Sequence, residues 1–259
     1  MKLSIRAILD YRFDHPTDVL VQLEVAALPE QRIDFEQLYL SERQQLTRVP
    51  AQDNIGERLW LHVDGRLHIQ YDAIVTIARE VIPCADLAQV PLCDLPASAV
   101  QYLMGSRYCP SDQFQRFVEA EFGDVHGGAR IAAMRDWIEA RFRYAPGVSN
   151  DETTASDTFV RREGICRDFA HVMISLARAS GIPARIASVY ALGVVPQDFH
   201  AVAEVFLGGA WHLVDATGMA KPAGMAKIGI GRDAADVAFL TSYGPAQLTA
   251  QSVSVFAAD

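Results

Sequence analysis

Residues 164–181 read GICRDFAHVMISLARASG, a run with helical spacing framed by Gly164 and Gly181. Gly164 allows a tight backbone turn before the helix, and Gly181, followed by Ile182 and Pro183, is a stop with a breaker behind it. At roughly 100° per residue, Cys166, Phe169, Ala170, Met173, Leu176 and Ala177 fall on one stripe, while Arg167, Asp168, Ser175 and Arg178 lie mostly off it. Cys166 therefore stands at the end of the buried stripe, in the first helical turn. Free backbone N–H groups and the positive end of the helix dipole favour thiolate over thiol there. Free cysteines are also common as small inert hydrophobes, so a base and an orienting group are needed before the position reads as chemistry.

The same alternation of glycine punctuation and periodic runs recurs downstream. In HAVAEVFLGGAWHLVDATG, residues 200–218, two alternating stretches flank Gly208-Gly209. A two-residue hairpin turn at those glycines sets Leu207 opposite Ala210, Phe206 opposite Trp211, Glu204 opposite Leu213 and Val202 opposite Asp215. His200 and Asp215 then share a sheet face as diagonal neighbours, roughly 7–8 Å apart at Cβ, which their side chains can close to a hydrogen bond. Glu204 shares the face but stands roughly 13 Å along the strand. Asp168 lies about 200° around the helix from Cys166 and His171 about 140°, while His212 alternates to the other face of the hairpin. Cys166, His171, His200 and His212 do not converge as metal ligands. What remains is a thiol at a helix start with a base and an acid on adjacent strands, the roles of a Cys/His/Asp constellation.

The whole chain sets the context. It has 259 residues, half of them apolar and 21% charged, with 32 acidic against 23 basic side chains and a formal charge of −9. The acidic balance, without any Lys/Arg cluster, excludes nucleic acid as an expected partner. Charges interrupt each apolar run of MKLSIRAILDYRFDHP, so neither a signal segment nor a membrane span is expected there, and the cytoplasm is the expected compartment. Cys84, Cys93, Cys109 and Cys166 contain no C-x-x-C pair and read as reduced thiols.

In chain order, residues 1–82 are strand-like and form a β-rich N-terminal domain, with Asp64-Gly65 as the clearest hairpin turn. Residues 83–96, PCADLAQVPLCDLP, read as a proline-containing linker. Residues 97–259 form the second domain, opening with helical segments at 97–103, 111–122 and 129–144. The polar stretch 145–158 reads as a loop leading into the cysteine helix, and strands are expected at 183–192, 200–207 and 210–215 and again near the end of the chain.

The segments GICRDFAHVMISLARASGIPARIASVYA, DFHAVAEVFLGGAWHLVDATG and GRDAADVAF resemble the transglutaminase-like superfamily, in its bacterial branch described as cysteine proteases. The β-rich N-terminal region and linker are similar to that branch as well. The resemblance implies an α+β fold with a papain-like core, a cysteine-bearing helix packed on an antiparallel sheet. By motif it implies Cys166 as nucleophile, His200 as general base and then acid, and Asp215 as orienter, acting on a protein or peptide amide without cofactor or metal. Vertebrate relatives use calcium, but no loop here has EF-hand-like spacing. One departure is visible: Ala201-Val202 stand where the family often carries a tryptophan. The expected reaction is hydrolysis through a thioester; transfer to an amine, as in a transglutaminase, and a non-catalytic binding module of the same fold are the alternatives, with acyl transfer from a CoA thioester a weaker one. The second oxyanion donor is open at this level, with Tyr144 and Asn150 as candidates beside the Cys166 N–H.

Overall fold

The computed structural model describes residues 1–41 and 45–258. Its N-terminal strands are β1 (Lys2–Phe13), β2 (Thr17–Val21), β3 (Gln31–Leu40), β4 (Gln45–Pro50), β5 (Glu57–Val63) and β6 (Arg66–Ile77). Along β1 every second residue, Leu3, Ile5, Ala7 and Leu9, is buried, as the period of a half-buried strand requires. Leu59, Leu61 and Val63 of β5 and Leu67, Ile69 and Tyr71 of β6 join them in one core.

Asp64-Gly65 reverses the chain as expected but does not make a hairpin. β5 pairs with β2 and β4, whereas β6 pairs with β1 and β3. The turn carries the chain from one sheet to the other, and the apolar faces of the two strands meet across the core instead of lying side by side. The result is a sandwich of two antiparallel sheets.

Residues 83–96 are irregular, with single 3-10 turns at Cys84–Asp86 and Leu92–Asp94. Helices follow as α1 (Ala97–Val100), α2 (Gln115–Phe122) and α3 (Gly127–Arg141). Two-residue strands β7 (Arg143–Tyr144) and β8 (Glu163–Gly164) pair in parallel on either side of α4 (Ala155–Arg161). The composition of 145–158 predicts a loop throughout; α4 instead begins inside it, capped by Thr154 and Asp157, whose side chains bond reciprocally to each other's backbone N–H.

The cysteine helix is α5 (Cys166–Ala179), and it packs on a sheet made of β9 (Ala184–Ala191), β10 (His200–Leu207), β11 (Ala210–Val214) and β12 (Met225–Gly231), in the order β11-β10-β9-β12. Phe169, Met173 and Leu176 of α5 share a core with Ile186, Ala203 and Val205 of that sheet. The chain is thus an α+β protein with a helix-on-sheet core and a β-rich N-terminal region. Its last strands return to that region: β13 (Leu240–Ser242) pairs with β2, and β14 (Ala246–Ala258) pairs with β1 along its length. Residues grouped by sequence with 97–259 therefore complete both sheets of the sandwich. Among the described residues no helix is long and apolar enough to cross a membrane.

Candidate active site

The β10–β11 hairpin has the register read from the sequence, with Phe206 opposite Trp211 and Glu204 opposite Leu213. Gly208 and Gly209 have φ of 58° and 84°, the left-handed pair that a tight two-residue turn demands and that glycine adopts at least cost. That turn brings His200 and Asp215 together: His200 Nε2 lies 2.9 Å from Asp215 Oδ2.

The carboxylate is held from every side. Asp215 Oδ2 also accepts from the Ala220 N–H at 3.0 Å, and Oδ1 accepts from the Thr217 N–H at 2.9 Å and its hydroxyl at 2.7 Å. Burial alone would raise its pKa, but the His200 bond and charge and the Thr217 bonds hold it below the usual carboxylate range. Sequence reasoning does not single out Thr217, although Asp-Ala-Thr-Gly is the signature of the aspartate turn that supplies it.

His200 is 1% exposed. Burial pulls its pKa down, but the bond to Asp215 and the nearness of the Cys166 thiol, with the charges of both, outweigh it and push it up to about 10. Its other nitrogen, Nδ1, is buried with no hydrogen-bond partner among the described residues. With Nε2 committed to Asp215, Nδ1 is the nitrogen left for the thiol.

Cys166 is the first residue of α5 and half-buried. Asp168 points away from it, as the helical angle requires, and turns back toward the start of the helix. Its Oδ2 accepts the Ile165 N–H at 2.9 Å, and Oδ1 pairs with the Arg167 guanidinium at 3.1 Å. Gly164 serves this close approach, a use that its reading as a tight turn before the helix does not anticipate: a Cβ there would lie 2.7 Å from the Asp168 Cβ.

Tyr144 is a further neighbour of the thiol. Burial first, then the charge of Cys166, pushes the phenol up to about 12, while the Cys166 backbone N–H pulls the other way as a hydrogen-bond donor. β7 pairs Tyr144 with Gly164, two residues before the thiol, which makes the phenol a neighbour of Cys166. Asn150 is used elsewhere: its Oδ1 accepts from the Glu152 N–H and the Thr153 hydroxyl, and its backbone oxygen binds Arg167.

The remaining histidines stay apart. His171 is fully buried, accepts the Ala234 N–H at Nε2 and stacks on Tyr108, while His212 Nε2 lies 3.2 Å from the Leu207 carbonyl. Glu204 is committed to Arg185 and Lys227 at 2.7 and 2.6 Å. Among the described residues no group of three or more His, Cys, Asp or Glu side chains could hold a metal ion.

The chain resembles known proteins. The profile of the transglutaminase-like superfamily matches residues 116–216, which run from α2 through the cysteine helix to Asp215 and Ala216. A crystal structure of a candidate cysteine protease from Cytophaga hutchinsonii superposes with a TM-score of 0.92 at 32% identity, covering 100% of this chain and 91% of that one. The uncharacterised Mycobacterium leprae protein ML0607 is 30% identical over 118 residues, a match spanning 42% of each chain. The periplasmic domain of TgpA from Pseudomonas aeruginosa aligns at 18% identity with a TM-score of 0.43, over 83% of this chain and 69% of that domain. With the long match to the Cytophaga protein added to the profile, the chain belongs to the transglutaminase-like superfamily, a family of thiol-dependent hydrolases and acyltransferases.

Proposed function

We propose that this chain is a cysteine-dependent amide or peptide hydrolase in which Cys166 is the nucleophile, His200 the proton carrier and Asp215 the orienter. The observation that carries the reading is the bond from His200 Nε2 to Asp215, which leaves the buried Nδ1, without a hydrogen-bond partner among the described residues, as the ring nitrogen free for the thiol. An imidazolium held up to about 10 is charged at neutral pH and supplies the counter-charge for a thiolate.

The thiolate attacks the amide carbonyl, and the oxyanion is met by the Cys166 N–H, with the Tyr144 hydroxyl as second donor. The Nδ1 proton passes to the leaving amine, the C–N bond breaks and a thioester remains. Neutral His200 then takes a proton from water, hydroxide displaces the thiolate, and the acid product leaves with the imidazolium restored. An amine in place of water gives a transglutaminase by the same steps. Hydrolysis is favoured by the likeness to the Cytophaga protein.

The domain reading carries over as part of this proposal: a catalytic unit within 97–259, an N-terminal β-rich unit of 1–82 completed by the last strands, and 83–96 between them. Protein or peptide is the proposed substrate. The cytoplasm is the proposed compartment, since Cys84, Cys93, Cys109 and Cys166 are all free thiols and a reducing setting suits them.

Iodoacetamide labelling of wild type and His200→Ala across pH tests the nucleophile. Wild type should stay reactive well below about pH 8.5, the range of a free cysteine, and the variant should lose reactivity there. Equal profiles would sink the reading.

A further inference from the structure

Arg162, four residues before the thiol, combines two features that ordinary sequence preference keeps apart. Its backbone is left-handed, φ 59° and ψ 29°, at the end of α4, a place that glycine or asparagine usually fills. Its half-buried guanidinium packs against rings and makes no salt bridge among the described residues: it lies 4.2 Å from the Phe159 centroid, 4.4 Å from Trp137 and 5.0 Å from Phe142, and Nη1 is buried with no hydrogen-bond partner among the described residues. Ring faces are the counterpart to the charge.

The cage grips the residues that lead into both strands of the β7–β8 pair. Phe142 immediately precedes β7, and Arg162 itself immediately precedes β8. The Arg162 carbonyl accepts the Arg143 N–H at 2.8 Å, and the Gly164 carbonyl accepts the Ala145 N–H at 2.8 Å. These two bonds bracket Tyr144. The Phe142 ring also touches Phe169 of α5, which in turn meets Tyr144.

We infer that Arg162 is a positioning residue, whose ring-caged guanidinium fixes β8 against β7 and so holds Tyr144 in place beside Cys166. The inference rests on the proposed role of Cys166 and deepens it. A side chain that cannot fill the cage frees β7 and lets the hydroxyl drift out of reach of the oxyanion, while the thiol and His200 keep their places.

Two probes separate these effects. Acylation by p-nitrophenyl acetate, read as the nitrophenolate burst, needs oxyanion stabilisation, whereas alkylation by iodoacetamide does not. Arg162→Gly suits the left-handed backbone and keeps the fold, so its acylation rate should fall about tenfold or more with alkylation within about twofold of wild type. Arg162→Lys, which keeps the charge but not the planar stack, should fall between. In a Tyr144→Phe background, Arg162→Gly should add no further loss. Wild-type acylation in Arg162→Gly, an equal fall in both probes, or a full further loss beside Tyr144→Phe overturns the inference. Wild-type alkylation that ignores His200→Ala instead overturns the reading of Cys166, so the two failures are distinct.

Discussion

The Asp168 carboxylate occupies the space that a side chain at Gly164 would need, with the Asp168 Cβ at 2.7 Å and Oδ2 at 2.8 Å from where that Cβ would sit. Gly164→Ala must therefore move Asp168 or the backbone that leads into α5. The expected cost is about 1–3 kcal/mol, from overpacking with loss of the bond to Ile165. Chemical denaturation measures it, and a stability equal to wild type would show that this backbone can yield.

The His200–Asp215 pair sets a pH window. The folded pKa of His200, about 10, is above its ordinary 6.5, so its contribution is complete below 6.5 and is lost as pH rises toward 10. Asp215 is shifted down, so its contribution is lost as pH falls through its depressed value. Wild-type melting temperature should therefore decline between about pH 7 and 10 from this source. Asp215→Asn removes the carboxylate charge that stabilises the imidazolium, so that decline should flatten, and acylation should drop by about ten-thousandfold. Parallel melting curves across alkaline pH would contradict the pairing.

Tyr144→Phe tests the second oxyanion donor. Removal of one such donor elsewhere costs about a hundredfold in turnover. The acylation burst should slow while iodoacetamide alkylation holds near wild type. A faster burst would mean that the hydroxyl fills the oxyanion position and obstructs it.

His171 predicts acid lability. Burial lowers its pKa to about 4, against an ordinary 6.5, with the Asp233 charge opposing and Arg167 adding to the shift. The folded state thus binds fewer protons than the unfolded chain between these values, and stability falls as pH drops through that range. Protonation would also remove the acceptor for the Ala234 N–H. His171→Gln should flatten the stability profile between about pH 6.5 and 4, as read by urea midpoints. An unchanged slope would assign the lability to other groups.

The cysteine helix and the hairpin were legible because their information is local. A stripe at helical spacing fixes which way Cys166 and Asp168 point, and two glycines fix the register from Ala203 to Val214. The Asp64-Gly65 turn shows the limit. It specifies a reversal, but alternating apolar runs on both sides suit lateral pairing and packing across a core equally well, and the choice is made by β1 and β2, more than forty residues earlier. Tyr144 stayed one of two candidates because its approach to Cys166 depends on the β7–β8 pairing, a contact between segments separated by α4. The close approach at Gly164 is hidden for a similar reason: contact with another side chain leaves the same mark in sequence as a backbone turn.

The return of β14 to β1 imposes an order on synthesis. Lys2 faces Ala258 and Phe13 faces Ala246, so β1 waits for a partner strand made more than two hundred residues after it. Until β14 emerges, β1 has an open edge carrying unpaired N–H and C=O groups, the kind of template on which another chain can add a strand. The nascent protein must therefore build the segment bearing Cys166, His200 and Asp215 while its N-terminal sheet is still unfinished. Closure of that edge is a late, long-range event, and it falls in the slow class of folding steps set by non-local strand pairing.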